Sequence, residues 1–95
     1  MTEKKEDDWR RFLALTGRVK NPERLSEYFD LFLTFEEREA LAKRYLIIKG
    51  LLEGEKNQRD MSRDFEVSIS KITRGSNSLK TISEELRAFL QEAMD

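Results

Sequence analysis

The stretch from Gln58 to Lys80, QRDMSRDFEVSISKITRGSNSLK, decides the fold of this chain. It reads as two short helices, Gln58 to about Asp64 and Ile69 to about Ser78, joined by a tight turn at Phe65-Glu66-Val67. Hydroxyls and cations lie along one side of the second helix. This pattern predicts a helix-turn-helix, in which the second helix enters the major groove of DNA.

Residue types within the segment support two helices, and one residue departs from the usual pattern of the motif. Asn57 and Ser68 are expected to cap them, because these side chains accept hydrogen bonds from the first amides of a helix. The turn favours glycine in a left-handed conformation, yet Glu66 stands there, at a cost on the order of 1 kcal/mol. Four apolar side chains are spaced to pack where the helices meet: Met61, Phe65, Val67 and Ile72. Pairs of helices that meet at a similar angle also occur in helical proteins that bind only other proteins. This pattern alone therefore does not exclude a protein-binding module.

The composition predicts an all-α chain of six helices in a single domain, residues 1–95. The chain has one proline and four glycines, with 38% hydrophobic and 39% charged residues. Residues 1–6 are expected to be disordered, a first helix to cover 7–16, and further helices to begin at Asn21-Pro22, after Thr34 and after Ser83. The parts are a dimerisation core (7–55), a DNA-reading head (57–80) and a C-terminal helix (83–95).

Apolar spacing predicts which faces are buried and favours a dimer. So small a chain buries little surface, which leaves marginal stability. The third helix is apolar over a wide band, and such a helix needs more neighbours than a short chain supplies. Three sets of apolar residues are expected to pack: Trp9, Phe12 and Leu13 in the first helix; Leu41, Tyr45, Ile48 and Leu52, with Ala40, Ile47 and Leu51 beside them, in the third; and Leu86, Phe89 and Leu90 in the last.

The residue types and motifs that the sequence lacks exclude several classes of function. The chain has no cysteine and no histidine, which rules out a disulfide framework, a thiol nucleophile and a usual zinc site. No glycine-rich phosphate loop or nucleophile–base pair is present, so an enzyme is not expected. The charged start MTEKKEDDWRR has no apolar run behind it, which argues against a signal peptide or a membrane span and favours a cytoplasmic protein.

Charge is unevenly distributed. The whole chain carries −1, whereas Lys56 to Lys80 holds six cations and three anions, a net of +3. A modestly basic segment on an acidic scaffold suits a selective DNA reader, although over so short a segment chance accounts for it equally well.

Leu31 to Lys80 resembles the tryptophan repressor family. The matching pieces are LFLT, EEREAL, Arg44, LLEGE, Gln58-Arg59 and ITRGSNSLK, with weaker similarity at WRRFL and EELRAFL. The resemblance implies an intertwined homodimer with two heads that read double-stranded operator DNA. It also implies one L-tryptophan per head as corepressor, and no other cofactor.

The resemblance further implies the ligand contacts. Arg44 and Arg74 would lie on opposite faces of the indole, by cation–π attraction. Arg74 and Thr34 of the partner subunit would hold the carboxylate. The ammonium would meet Ser78 and carbonyls at the end of the partner's second helix, where a cation is favoured. The full set is Leu31, Leu33, Thr34, Arg44, Ile48, Arg74, Gly75 and Ser78.

The expected DNA-binding residues come from the two short helices: Gln58, Arg59, Ser68, Ile69, Ser70, Lys71, Thr73, Asn77 and Lys80. Lys71 stands where the family usually has a small hydroxyl residue, Ser62 where it has lysine, and Ser70 where it has alanine. Together with Glu66 these departures prevent the family's operator sequence from being carried over. Two alternatives stay open: a helix-turn-helix regulator with a different effector or none, and a helical interaction module without a DNA role.

Overall fold

The computed structural model describes residues 2–94, with side chains described over 6–94, and within that range it contains helices and no strand. In chain order the helices are α1 (Thr2–Thr16), α2 (Pro22–Phe32), α3 (Phe35–Glu53), α4 (Gln58–Phe65), α5 (Ile69–Leu79) and α6 (Glu84–Ala93). The predicted all-α fold with six helices is confirmed. The chain divides into two compact units, Met1–Thr34 and Phe35–Asp95.

Helix boundaries follow the capping residues. Four caps accept a hydrogen bond from a backbone amide in the first turn: Asn21, Asn57, Ser68 and Ser83. The expectation of disorder in residues 1–6 is wrong for 2–6, because α1 extends back to Thr2. No glycine or proline interrupts the segment, and its lysines and glutamates are good helix formers. Met1 lies outside the described residues.

The unit Met1–Thr34 is organised around Phe12. Its ring stacks on Trp9 and Tyr28, with centroids 5.7 Å away in each case, and meets Phe32 edge-on at 5.2 Å. The hydroxyls of Thr16 and Tyr28 are hydrogen-bonded at 2.6 Å. The apolar face predicted for α1 therefore packs against aromatic rings of α2, since ring pairs at these separations are attractive.

The unit Phe35–Asp95 has its core where α3, α4 and α5 meet. Ile47, Met61 and Ile72 are fully buried there, with three half-buried neighbours packed against them: Leu51, Phe65 and Val67. This confirms the four apolar positions assigned to the helix-turn-helix. Gly50 lets α3 approach α4, because a Cβ at this position would lie 2.7 Å from Met61 Sδ.

Two sequence expectations about burial differ from the structure. In α3 the buried side belongs to Ile47 and Gly50, because α4 and α5 pack there, while Leu41 and Tyr45 remain 55% and 49% exposed. In α6, Leu86 and Phe89 were both expected to face inward but are 44% and 62% exposed. The contacts of α6 run instead through Arg87, which donates to the Leu79 carbonyl, and through the half-buried Leu90.

The turn between α4 and α5 has the predicted left-handed residue. Glu66 has φ 56° and ψ 50°, and it is the one non-glycine residue with positive φ among those described. Its amide and that of Val67 both donate to the Ser62 carbonyl. Ser62 Oγ in turn donates to the Val67 carbonyl at 2.5 Å. Ser62 thus closes the turn from both sides, which identifies a Schellman-type helix end.

Candidate nucleic-acid interface and ligand cleft

The α5 helix presents three faces, as its 3.6-residue period requires. The core face carries Ile72, Gly75 and Leu79, which are buried. The outer face carries Ile69, Thr73 and Asn77, which are exposed. The third face, which we call the cleft face, carries Lys71, Arg74 and Ser78; the first two line a cleft against α3, and Ser78 lines a neighbouring groove. Residues predicted to touch DNA and residues predicted to touch a ligand therefore lie on adjoining sides of one short helix.

The outer face provides groups suited to nucleic acid. Ile69 is 46% exposed, and Ser70, Asn77 and Lys80 are also exposed. Thr73 Oγ1 donates to the Ile69 carbonyl at 3.0 Å, which leaves its oxygen able to accept a hydrogen bond. Ser68 Oγ accepts from the Lys71 amide at 3.2 Å, so this side chain serves as the helix cap.

Charge on α4 is partly neutralised within the segment. Asp64 Oδ2 lies 2.8 Å from Lys56 Nζ, and Arg63 pairs with Asp60 at 3.3 Å and with Asp64 at 3.0 Å. Hydrogen bonds from Lys56 and Arg63 hold the pKa of Asp64 below its ordinary value, and the Asp64 contact raises that of Arg63.

Four cations of the helix-turn-helix, within the part of the chain that the structure describes, have no ion-pair partner: Arg59, Lys71, Arg74 and Lys80. Gln58 and Arg59 are both exposed at the beginning of α4. The acidic side chains of α4 are thus paired with Arg63 of the same helix and with Lys56 just before it, and the remaining positive charge is free to attract an anion.

A cleft of about 210 Å³ separates α3 from α5. We call it the cationic cleft; its lining residues are Ala40, Lys43, Arg44, Ile47, Lys71 and Arg74. No carboxylate of residues 6–94 belongs to that lining. The structure thus places Arg44 and Arg74 in the lining of one cleft, as expected of a site that holds an aromatic ring between two guanidinium groups.

Arg44 is also linked to Ser78. Arg44 Nη2 donates to Ser78 Oγ at 3.0 Å, so three of the eight expected ligand residues are neighbours in one unit. Gly75 lies beside them but faces the core, where a Cβ would come within 2.8 Å of Ile47 Cγ2. Its direct structural role is therefore to let α5 approach α3.

Ile48 lies in a second depression on the other side of Arg44. This apolar groove, of about 390 Å³, is lined by Leu41, Arg44, Tyr45, Ile48, Ser78, Leu79, Ile82, Leu86, Leu90 and Met94. The remaining expected ligand residues belong to the other unit. Leu31 is in the last turn of α2, Leu33 caps that helix through its amide to the Phe29 carbonyl at 2.8 Å, and Thr34 directly precedes α3.

Sequence reasoning missed Lys43. Its ammonium donates to the Phe65 carbonyl at 2.7 Å, and its side chain lines the cationic cleft. Lys43 precedes the core residue Ile47 by four positions, about one helical turn. Residues at this spacing lie on the same side of a helix, so the spacing could have indicated that Lys43 faces the interior of the unit. Ser62 was treated as a change on the DNA-facing surface, whereas its side chain is half-buried in the turn.

No helix in the described range is long and apolar enough to cross a membrane. No cluster of three or more acidic, histidine or cysteine side chains that could hold a metal ion occurs among those same residues.

Comparison with known proteins gives a consistent result. The family model described as Trp repressor protein matches residues 7–94. The chain is 45% identical over 89 residues to a Trp operon repressor homolog of Chlamydia caviae, covering 94% of this chain and 88% of that protein. Homologs with the same description are 44% identical in Chlamydia trachomatis serovar D, over 97% of this chain and 98% of theirs, and 38% identical in Vibrio cholerae, over 92% and 84%.

Proposed function

The chain belongs to the Trp repressor protein family of DNA-binding transcription regulators, and we propose that it acts as a tryptophan-dependent repressor. In this proposal L-tryptophan is the corepressor, and a homodimer binds a palindromic operator. The observation that carries the proposal is the position of α5, whose outer face is exposed and whose neighbouring face lines the cationic cleft.

The DNA part of the proposal rests on α4 and α5. Ile69, Ser70 and Thr73 are exposed at the beginning of α5, where a recognition helix approaches base edges. Arg59 and Lys80 have no carboxylate partner in the described range and are available to phosphates. Glu66 and Ser62 fix the angle at which the two helices meet, so these groups are held in a defined arrangement.

The ligand part rests on the cationic cleft. Arg44 and Arg74 line it from two different helices, and each guanidinium plane can attract an indole ring by roughly 0.5–2 kcal/mol. The charged groups that the described lining offers to an entering carboxylate are all cations. Ser78, already bonded to Arg44, can accept a hydrogen bond from an ammonium group.

The proposed mechanism is a shift of population. A ligand between α3 and α5 fixes the tilt of α5 and thereby the separation of two heads on a palindrome. L-tryptophan binds the competent arrangement better and increases its population. A differential of about 3 kcal/mol raises DNA affinity roughly a hundred-fold.

A homodimer is part of the proposal because apolar surface is left uncovered in one chain. Leu41 and Tyr45, which are half-exposed, line the apolar groove with Leu86. Apolar area of this kind is typical of a surface that associates. Sedimentation equilibrium should give twice the chain mass; a monomer at micromolar concentration contradicts this part.

The decisive test combines titration calorimetry with DNA binding. L-tryptophan should bind at one ligand per chain and should tighten binding to a palindromic DNA selected from a random library. Arg74→Ala should lose the tryptophan response, while the matched variant Arg59→Ala should keep ligand binding and lower the salt dependence of DNA binding by about one unit of slope. Equal DNA affinity with and without tryptophan refutes the proposal.

One alternative has a specific observation in its favour. Lys71 and Lys43 add two ammonium groups to the cleft between the arginines, and they disfavour the ammonium of an amino acid. A helix-turn-helix regulator with another effector, or none, is therefore the second candidate. Calorimetry with tryptophan, indole and other amino acids distinguishes the two, because only the first predicts a clear preference for tryptophan.

A further inference from the structure

Lys43 joins two features of the unit Phe35–Asp95 that are otherwise separate. Its Nζ donates to the carbonyl oxygen of Phe65, the last residue of α4, at 2.7 Å. The same half-buried side chain lines the cationic cleft with Arg44, Lys71 and Arg74. One ammonium group therefore touches the end of α4 and also borders the proposed ligand site.

At the turn, Lys43 acts on a carbonyl that matters for geometry. The last carbonyls of a helix have no partner within it, and a cation is favoured there by the helix dipole. The residue that follows Phe65 is Glu66, in the left-handed conformation. Lys43 therefore links α3 to the end of α4, directly before the turn that leads to α5.

On the side of the cleft, the Lys43 ammonium can still donate hydrogen bonds. It carries three N–H donors, of which the Phe65 carbonyl uses one. Among the described residues the lining contains four cations and no carboxylate, so these cations repel one another and an entering anion relieves the repulsion. A carboxylate there would accept from Lys43 while the bond to Phe65 stays in place.

We propose that Lys43 is the positioning residue that couples ligand binding in the cationic cleft to the geometry of the helix-turn-helix turn. This inference rests on the proposed function, in which the cleft takes an amino acid and α5 reads DNA. A bound carboxylate holds the Lys43 ammonium against the Phe65 carbonyl, the turn at Glu66 is fixed, and α5 is set for DNA. Without a carboxylate the bond to Phe65 is already formed, but the neighbouring cations repel the ammonium and weaken that bond, so the turn is less restrained than in the liganded protein.

The test compares wild type with Lys43→Met, Lys43→Arg and Lys49→Met. Lys49 is a half-buried lysine of α3 that lines neither the cationic cleft nor the apolar groove, so it is the matched control. The quantity measured is the ratio of DNA dissociation constants without and with saturating L-tryptophan, on a palindrome selected with the wild type. Thermal unfolding of each variant at one protein concentration establishes that it is folded.

Lys43→Met should lower this ratio about ten-fold, which corresponds to about 1.4 kcal/mol and is the size expected for one hydrogen bond from a charged group. Lys43→Arg, which keeps charge and donors, should recover most of the ratio, and Lys49→Met should leave it unchanged. Amide hydrogen exchange at Glu66 and Val67 should be faster in Lys43→Met with tryptophan present. A purely structural role would change unfolding without changing the ratio.

The outcomes separate this inference from the function it rests on. If wild type responds to tryptophan and folded Lys43→Met responds by the same ratio, the coupling role of Lys43 is refuted and the proposed function stands. If wild type itself shows no response, the proposed function fails and the coupling role falls with it. Should Lys43→Met not fold, Lys43→Gln keeps a donor without the charge, and an unchanged ratio in that variant also refutes the inference.

Discussion

Replacing Glu66 with glycine should stabilise the protein, although glycine usually destabilises. Glu66 is held at φ 56° and ψ 50°, where an L-residue with a Cβ is strained by roughly 1–2 kcal/mol. Glycine removes this strain but gives the unfolded chain more freedom, which costs about 0.4–1 kcal/mol. The difference leaves a net gain of about 0.5–1 kcal/mol for Glu66→Gly.

Thermal unfolding measures this gain directly. For a domain of this size 1 kcal/mol corresponds to about 4–8 °C, so Glu66→Gly should raise Tm by roughly 2–8 °C. All samples must share one protein concentration, because association would shift Tm by mass action. Glu39→Gly is the matched control: Glu39 is exposed inside α3, and the same substitution there should cost about 0.5–1 kcal/mol.

The two glycine substitutions should therefore change stability in opposite directions. A lower Tm for Glu66→Gly would mean that the glutamate side chain contributes more than the backbone strain removes. Ser62→Ala gives an independent measure of the same turn, since it deletes the Ser62 hydroxyl bond to the Val67 carbonyl. A loss of about 1 kcal/mol is expected there, and no loss would contradict the view that Ser62 closes the turn.

Three further predictions concern packing, pH and the ligand cleft. Gly75→Ala should cost about 1–3 kcal/mol in denaturant unfolding, because its Cβ would meet Ile47 Cγ2 at 2.8 Å; unchanged stability would refute close packing of α3 and α5. The pKa of Asp64 is lowered in the folded protein. The ionised carboxylate therefore stabilises the fold above the pKa that Asp64 has in the unfolded chain, and this stabilisation is lost as pH falls through its pKa in the folded protein. Asp64→Asn should therefore be less stable than wild type near neutral pH. The difference should begin to shrink at about pH 4, vanish below the folded pKa of Asp64, and be smaller in high salt; a difference that persists in strong acid contradicts the ion-pair origin. Lys71→Thr should bind L-tryptophan more tightly in calorimetry, because it removes one cation that repels the ligand ammonium; weaker binding would show that Lys71 instead holds the carboxylate.

Local signals predicted the helix-turn-helix well. Asn57, Ser68 and Ser83 cap the helices they were expected to cap, because a cap depends on residues only three positions apart. Met61 and Ile72 are buried as predicted, since their spacing places them on the inner sides of two helices joined by a short turn. The left-handed Glu66 followed from the same geometry.

Features that depend on distant parts of the chain were not predictable in the same way. The apolar band of α3 is wide, and the sequence does not indicate which sector α4 and α5 cover; the structure buries Ile47 and leaves Leu41 half-exposed. Lys43 was missed because its partner, the Phe65 carbonyl, is 22 residues away. For the candidate site, the neighbourhood of Arg44, Arg74 and Ser78 was expected from family resemblance. That Lys43 and Lys71 line the same cleft as the two arginines became evident only from the folded structure.

The division of α5 into three faces has a consequence for how such regulators diverge. Ile69, Ser70 and Asn77 are exposed on the outer face, and surface substitutions of that kind usually change stability by less than about 0.5 kcal/mol. Operator preference can therefore drift under mutation without disturbing the core or the effector response. The core and cleft faces of the same helix lack this freedom, so over evolutionary time the DNA target should change faster than the signal that controls it.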